Sequence, residues 1–439
     1  MKTNRRQFMV QTAAIGFSFG ACPVWASDRQ AIAQNVLSTW TRLLLELVRH
    51  TATYSPPVAS RAFAYIFVAA HESLASGAPS LVSLAGQLNG LKSLPIRPEG
   101  PHDEACVLHA TLAASAVRFF ANTGPTGQRA IDALTEQLAT TAFAGLAHGI
   151  AERSSAYGQA VAAHVFDWSL TDGGATVENM GFPYDYTPGK DPQDWVPTSL
   201  VRQQQAPLLP NWGNNRSFAM PTGTACPIPP PPAYSEVPGS PFHTAAMEVH
   251  DIVLNLTDEQ RLIARFWSDD PMLSPTPPGH WIAITLAIAD RDSLPVDRTA
   301  GILASLSVTM ADAFIACWAA KYEYDLLRPI TYIRRVIDKK WDPLLNTPPF
   351  PEYPSGHSTQ SAAAAAVLTA AFGENFAFDD PTHEDEGMPV RSYASFQAAA
   401  EEAGISRFYG GIHYRFGVTA GLDQGRCVGA FAAALKTRT

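Results

Sequence analysis

The chain has 439 residues, of which 46% are hydrophobic and only 16% carry a charged side chain. This composition excludes disorder of the whole chain, because so large an apolar fraction is enough to form a core. The formal net charge of −9 disfavours a nucleic-acid-binding protein, since such a chain repels phosphate backbones. Any site for an anion must therefore be a local concentration of positive charge.

The first 26 residues have the layout of an export signal, with a basic start, an uncharged stretch and a small-residue end. The pair Arg5-Arg6, followed by Gln-Phe-Met, resembles a twin-arginine signal, which directs the export of folded proteins. A chance arginine pair before an ordinary secretory leader is the alternative. We therefore expect an exported protein, periplasmic or secreted, that loses residues 1–26.

The cysteines beyond the leader lie at positions 106, 226, 317 and 427 and include no Cys-x-x-Cys pair that would indicate zinc. An oxidising compartment permits disulfide bonds, but nothing in the sequence selects a pair. Cys317 and Cys427 lie in apolar helical stretches. We expect both to be small buried thiols.

Two groups of amphipathic helices are predicted, because apolar residues recur at three- and four-residue spacing in two long parts of the chain. Gly and Pro clusters between them predict a long irregular connection. The sequence thus predicts an all-α protein with an N-terminal bundle at 27–170, a connection at 171–245 and a C-terminal bundle at 246–439. The predicted helices are Ala31–Arg49, Val58–Ser76, Glu104–Asn122, Gly127–His148, Ile150–Trp168, Asp258–Trp267, His280–Ala289, Ala300–Leu327, Ser355–Phe372, Tyr393–Tyr409 and His413–Leu435.

Two segments of the C-terminal part invite a different interpretation. Gly301–Ala320 is apolar enough to suggest a membrane span, but Asp312 in its middle favours a buried helix. The acidic run Asp379–Glu386 is expected to be a solvated loop. We therefore expect no integral membrane segment in the mature chain.

The first of three short segments with anion-binding chemistry runs from Lys321 to Arg328-Pro329. Seven residues at ~100° each come to ~700°, so Lys321 and Arg328 are expected on one helix face about two turns apart. Both cations would then reach one ligand. Solvated side chains on the protein surface are the alternative.

The second segment, Pro354-Ser355-Gly356-His357, leads directly into an alanine-rich helix. Ser355 stands at the N-cap position, and Gly356 lets the backbone approach a ligand closely. Free N–H groups and the positive end of the helix dipole would then form an anion cradle. His357 would stand beside it as a proton donor or acceptor. A plain N-cap with a surface histidine is the alternative.

The third segment runs from Ser406-Arg407 to His413, and the pair Gly410-Gly411 interrupts its helix. Such a corner can bring Arg407 and His413 to a common point although they are six residues apart. A surface arginine and an unrelated histidine are the alternative.

Together the three segments resemble the superfamily shared by vanadium-dependent haloperoxidases and type 2 phosphatidic acid phosphatases. The pattern of that superfamily is Lys, six residues, Arg-Pro; then Pro-Ser-Gly-His; then Ser-Arg, five residues, His, and all three parts occur here. The segments 60–62, 211–214 and 276–281 also look like parts of bacterial haloperoxidase-related proteins. The resemblance implies a mainly α-helical fold built around two bundles, with the site in the C-terminal one.

The resemblance also implies an activity, the oxidation of halide by hydrogen peroxide to hypohalous acid, with an unknown organic acceptor. His413 would ligate vanadium, His357 would exchange a proton with peroxide, and Lys321 would polarise the peroxide. Trp318 and Phe350 resemble residues that line the halide pocket of fungal chloroperoxidase-like enzymes, and ordinary aromatic core is their alternative. The residues expected to hold the oxygens of the vanadate cofactor, or of a phosphate in its place, are Lys321, Arg328, Ser355, Gly356, His357 and Arg407.

One position departs from the pattern of the superfamily. An Asp usually follows the last His by four residues and fixes the imidazole tautomer, whereas this chain has Gly417 there. The next carboxylate, Asp423, would lie ~15 Å along the helix and ~80° round from His413, so it cannot substitute. We therefore expect His413 to be weakly or differently supported. An inactive exported relative with a binding or assembly role is a further alternative.

The same pattern also fits an acid phosphatase, in which His413 would form a phosphohistidine and His357 would protonate the leaving group. Vanadate and the phosphoryl-transfer transition state share a trigonal-bipyramidal shape, so the motifs do not choose between the two activities. Gly417 favours the peroxidase, because a nucleophilic histidine depends more on a partner carboxylate than a vanadium ligand does.

Overall fold

A computed structural model of the protein describes residues 23–176, 187–199 and 206–439, so most of the predicted export signal lies outside the described residues. The described part is mainly helical, which confirms the all-α prediction. The α-helices are α1 Pro23–His50, α2 Pro56–Ala75, α3 Glu104–Phe119, α4 Pro125–Ala142, α5 His148–Ser169, α6 Pro241–Leu254, α7 Asp258–Phe266, α8 Thr276–Arg291, α9 Val296–Tyr324, α10 Pro329–Val336, α11 Gly356–Phe372, α12 Phe396–Tyr409 and α13 Arg415–Ala433.

The structure contains three features that the periodicity did not predict. Two are the helices α6 and α10, each of which has a proline in its first turn. The third is an antiparallel pair of strands, β1 Phe378–Asp380 and β2 Arg391–Tyr393. Strands of three residues are too short to show an alternating pattern, and an eight-residue helix shows little more than two turns of one.

Helix α9 lies at the centre of the molecule, and its apolar side chains join helices from both ends of the chain in one core. It is long and apolar enough to cross a membrane, but 94% of its most apolar window is buried inside the protein. Its Asp312 accepts three backbone hydrogen bonds, from the N–H groups of Phe218, Ala219 and Met220, at 2.6–2.9 Å. The prediction of a buried helix rather than a membrane span is therefore confirmed.

Glycines at four-residue spacing on α13 allow it to pack closely against α11. Gly421, Gly425 and Gly429 lie on one face of α13, because residues four apart are neighbours on a helix surface. A Cβ atom at Gly425 would lie 2.1 Å from the carbonyl oxygen of Thr359 on α11. This close approach places the start of α13 beside the N-terminus of α11, where Ser355 N–H donates to the carbonyl of Gly417.

The cysteines follow the sequence prediction only in part. Cys317 is a buried free thiol, as predicted. Cys427 instead forms a disulfide with Cys226, so the prediction of a free thiol at position 427 is wrong. The bond joins α13 to the segment before α6, across 201 residues. A spacing of this kind leaves no local signal in a sequence.

The acidic run Asp379–Glu386 is not uniformly solvated. Glu384, Asp385 and Glu386 are exposed, but Asp380 in β1 and His383 are buried. The expectation of a solvated loop is therefore wrong for these two residues. Both turn inward and meet buried polar side chains, described below.

Candidate active site

A cavity of about 550 Å³ lies at the N-terminus of α11. Gly356, His357, Arg407 and His413 all line it. Helix α12 ends at Tyr409, and the turn that follows carries Gly411 at φ 75°, a conformation that favours glycine. The second and third sequence segments therefore meet at one cavity, as predicted.

The N-terminus of α11 forms the backbone part of the site. Ser355 is its N-cap, and its Oγ accepts a 3.4 Å hydrogen bond from Ser358 N–H. The N–H groups of Gly356 and His357 belong to the first turn, where a helix offers no internal acceptor. With the positive end of the helix dipole, these groups favour an anion. The predicted N-cap is confirmed.

Lys321 and Arg328 do not share a helix. Helix α9 ends at Tyr324, Asp325 adopts a left-handed conformation, and Arg328 is the N-cap of α10. The prediction that one helix face carries both cations is wrong. Asp325 ends α9, and Pro329 accounts for the extended conformation of Arg328, because the residue before a proline is sterically disfavoured in a helix. Both side chains are nevertheless fully buried beside the cavity.

The ammonium group of Lys321 makes three hydrogen bonds to backbone carbonyl groups of the protein. It donates to the carbonyl oxygens of Pro351, Glu352 and Pro354, at 2.8, 2.9 and 2.5 Å. Burial lowers the pKa of Lys321 to about 7. Lys321 thus holds the loop that leads into Ser355, and it can contact an oxyanion only by exchanging one of these three bonds.

Two guanidinium groups are only partly satisfied. Arg328 donates from Nε to the carbonyl of Phe350 and from Nη1 to that of Ile412, each at 2.8 Å. Its buried Nη2 has no partner among the described residues. Arg407 donates from Nη1 to the carbonyl of Trp267 at 2.8 Å, and its buried Nε is likewise without a partner in the described part of the chain.

His357 presents an unsatisfied nitrogen at the same place. Its Nε2 is buried and makes no hydrogen bond to any residue that the structure describes. Burial, and then the positive charge of Arg407, hold the pKa of His357 well below its usual range. The ring is therefore neutral at physiological pH and can accept a proton from a ligand.

His413 is held from both sides. Its Nδ1 lies 2.7 Å from Oε1 of Glu352, and its Nε2 lies 3.1 Å from Nη1 of Arg328. A carboxylate only accepts and a guanidinium only donates, so the proton is assigned to Nδ1 and the lone pair to Nε2. Burial, with Arg328 and Lys321 nearby, holds the pKa of His413 well below its usual range. A neutral imidazole with this tautomer can ligate a metal through Nε2, in exchange for the contact with Arg328.

Glu352 supplies the carboxylate that is missing at position 417, and the sequence analysis did not identify Glu352 as a site residue. A Cβ at Gly417 would lie 2.3 Å from Oε1 of Glu352, so the glycine leaves room for the carboxylate that supports His413. Burial raises the pKa of Glu352 to about 7. Asp423, by contrast, pairs with Arg426 at the surface, as expected for a carboxylate that cannot substitute. The sequence signal was an acidic residue three positions before the N-cap.

Trp318 and Phe350 form an aromatic wall of the cavity. Their ring centroids lie 4.9 Å apart, and Trp318 Nε1 donates to the carbonyl of Leu208 at 3.1 Å. The structure therefore brings both predicted halide-pocket residues to the cavity that His357 lines. Trp318 is also almost fully buried, so it contributes to the core as well.

Comparison with known proteins places this chain in a family. The structure of the first bacterial vanadium-dependent iodoperoxidase matches it with a TM-score of 0.85 and 37% sequence identity, over 92% of this chain and 97% of that one. The family described as the VCPO second helical-bundle domain matches residues 301–439, the part that carries the site. The chain belongs to the vanadium-dependent haloperoxidase family.

More distant relatives are also vanadium-dependent haloperoxidases. The vanadium chloroperoxidase of Curvularia inaequalis is 27% identical over 36% of this chain and 36% of its own length. The vanadium-dependent bromoperoxidase of Ascophyllum nodosum is 33% identical over 19% of this chain and 17% of its own length. The chain thus spans about a third or less of these curated relatives. A bacterial vanadium-dependent chloroperoxidase in its holo form, with a TM-score of 0.65 and 17% identity, shares the fold.

Proposed function

We propose that this protein is a vanadium-dependent haloperoxidase, which oxidises halide with hydrogen peroxide to hypohalous acid. One observation carries the proposal: Nε of Arg407 and Nε2 of His357, which line one cavity, are buried without partners among the described residues, and so is Nη2 of Arg328, whose Nη1 contacts His413 in the lining of that cavity. Leaving such groups unsatisfied costs about 1–3 kcal/mol each, and more when they are charged. A bound oxyanion would satisfy them together.

Vanadate fits this set of residues. The N–H groups at the start of α11 and two buried guanidinium groups offer donors and positive charge, and His413 offers an Nε2 lone pair once it exchanges its contact with Nη1 of Arg328 for the metal. The residues proposed to hold its oxygens are Lys321, Arg328, Ser355, Gly356, His357 and Arg407, with His413 as the metal ligand. Bound vanadium(V) supplies a Lewis acid that activates peroxide towards a halide.

The chain's own residues then bind, orient and move a proton. His357, neutral and unpartnered at Nε2, accepts the proton of hydrogen peroxide and later returns it. Arg328 and Arg407 neutralise the oxyanion in a site where water screens charge poorly. Trp318 and Phe350 provide an apolar wall against which a weakly hydrated halide can rest.

The acid phosphatase is the second candidate, and one observation now makes it stronger than the sequence suggested. Glu352 holds Nδ1 of His413, so the glycine at position 417 does not deprive a nucleophilic histidine of its carboxylate. The similarity to the iodoperoxidase structure over nearly the whole chain favours the peroxidase instead. The inactive-relative alternative also loses its main argument, because His413 is fully supported.

The deciding experiment is a comparison of two activities in the purified mature protein. We expect oxidation of iodide or bromide by hydrogen peroxide, dependent on added vanadate, and little hydrolysis of a phosphate monoester. Iodide is tested first, because it is the most easily oxidised of the halides and because a close structural relative is an iodoperoxidase. A trapped phosphohistidine at position 413, with no peroxide-dependent halide oxidation, would overturn the proposal in favour of the phosphatase.

Loss of the Glu352 carboxylate should weaken the cofactor site. In Glu352→Ala the buried Nδ1–H of His413 loses its acceptor, and removal of such an outer carboxylate typically costs ~10- to 100-fold in metal affinity or activity. We expect a loss of this size in vanadate affinity, measured by equilibrium dialysis.

A second substitution distinguishes a positioning role from a general structural one. Gly417→Asp alone should be harmful, because the new side chain meets Glu352. In the double variant Glu352→Ala, Gly417→Asp the space is empty, and the side chain at position 417 points to where the Glu352 carboxylate lies in the wild-type protein. Recovery of vanadate affinity in the double variant is expected; equal loss in all three variants would show that Glu352 does not act through His413.

Export of the folded protein by the twin-arginine route, to the periplasm or the medium, is part of the proposal. The Arg5-Arg6 pair supports it, and so does the disulfide Cys226–Cys427, which is typical of an oxidising compartment. Changing both arginines to lysine should leave the precursor in the cytoplasm, as followed by cell fractionation. The control is Arg129→Lys at an exposed position of α4. Normal export of the double lysine variant would refute this route.

A further inference from the structure

A second cluster of ionisable side chains lies next to the cavity and is not used by the oxyanion site. Asp269 lines the cavity, and behind it His280 of α8 and His383 from the connection between β1 and β2 meet its carboxylate. All three side chains are buried, and their candidate ligand atoms lie within 4.8 Å of one another. Three distant parts of the chain therefore converge on one point.

The spacing of the atoms suits a small metal ion. Nδ1 of His280 lies 2.9 Å from Oδ2 of Asp269, and Nε2 of His383 lies 3.3 Å from Oδ1 of the same carboxylate. Two bonds of about 2.0–2.1 Å at a tetrahedral angle put zinc ligands roughly 3.3 Å apart. Neither nitrogen of His383 forms a hydrogen bond within the described residues. The contact with Asp269 is thus close enough but wrongly angled for a hydrogen bond.

The far nitrogen of each histidine faces a carboxylate. Nε2 of His280 lies 2.8 Å from Oδ2 of Asp380, and Nδ1 of His383 lies 3.2 Å from Oε2 of Glu386. Histidines that ligate metals usually donate their other ring N–H to such an outer carboxylate, as Nε2 of His280 can to Asp380, whereas Glu386 lies close to Nδ1 of His383 without a hydrogen bond to it. Trp267 stacks on His280 with ring centroids 4.4 Å apart, which fixes the ring plane.

We propose that Asp269, His280 and His383 bind a divalent transition-metal ion, with zinc as the best fit, at a structural site distinct from the vanadate site. Two imidazoles and one carboxylate are typical zinc ligands, and a water molecule would complete four-coordination. The surrounding carboxylates favour a dication and would repel vanadate, so the cluster is not a second oxyanion site.

The ion would stabilise one wall of the active cavity. Asp269 follows Trp267 by two residues, and the carbonyl of Trp267 accepts the hydrogen bond from Arg407. Binding would tie this segment to α8 and to the chain after β1. The competing arrangement has no metal, with a protonated His280 between Asp269 and Asp380.

The test is the metal content of the full mature protein, purified without chelator or vanadate from zinc-supplemented medium. We expect about one zinc ion per chain by inductively coupled plasma mass spectrometry. His383→Gln and Asp269→Asn should each lose the zinc, whereas His148→Gln, at an exposed position, should keep it. Since vanadate is absent, the result is independent of the proposed enzymatic activity.

A second measurement decides the matter if the variants fold poorly. Crystals of the wild-type protein should show an anomalous scattering peak at the zinc edge, within about 2.1 Å of Nδ1 of His280 and Nε2 of His383. Absence of that peak, together with substoichiometric zinc in solution and an unchanged Tm on zinc addition, would overturn the proposal in favour of the protonated histidine. Equal zinc content in His383→Gln would overturn it as well.

Discussion

His413→Ala is expected to abolish vanadate binding, whereas His357→Ala should retain the ion and lose halide oxidation. The two histidines line the same cavity but differ in their contacts. Nδ1 of His413 is held by Glu352, which leaves Nε2, now in contact with Arg328, as the nitrogen that can ligate the metal. His357 is unpartnered at Nε2 and is free to exchange a proton. Removing a ligand should reduce affinity by more than about 100-fold, beyond the effect of losing an outer carboxylate.

Loss of a proton-transfer group leaves binding largely intact and lowers turnover, by ~100- to 10,000-fold. The measurements are vanadate affinity by equilibrium dialysis and the rate of peroxide-dependent iodide oxidation at saturating vanadate. His148→Ala, at an exposed site, is the matched control for both. If the two variants fail in the same way, with equal affinity and equal residual rates, the assignment of separate roles is wrong.

Arg407→Ala should weaken oxyanion binding by roughly 30- to 1000-fold, or ~2 to 4 kcal/mol. The guanidinium is buried, and its Nε has no partner in the described part of the chain. Its removal leaves a polyanion under-neutralised in a partly desolvated site, where charge is screened less than in bulk water. Arg426→Ala is the matched control, because Arg426 is half exposed and pairs with Asp423 at the surface.

Vanadate and phosphate affinities should fall together in Arg407→Ala, since the guanidinium contacts oxygens rather than the central atom. Circular dichroism and Tm establish whether the loss is local, because Arg407 also donates to the carbonyl of Trp267. Unchanged affinity for both anions would show that Arg407 plays no part in the site.

The parts of this protein that the sequence alone determined are those that depend on neighbours within about one helical turn. The N-cap at Ser355 and the helix break at Gly410-Gly411 were predicted and are present, because capping and glycine conformations act locally. The start of α10 at Pro329 also depends only on neighbouring residues, and the proline that marks it is visible in the sequence. The prediction for Arg328 is wrong because the steric effect of Pro329 on the preceding residue overrides the helical spacing.

Contacts between distant residues were decided by the tertiary structure. Glu352 and His413 are 61 residues apart, and no periodicity links them. Their pairing depends on the close packing of α13 against α11 and on the empty space at Gly417. The same holds for the disulfide across 201 residues and for the meeting of Asp269, His280 and His383. A single sequence carries the helical pattern of each segment, but which segments meet depends on how their surfaces pack, and that packing selects the partners of His413.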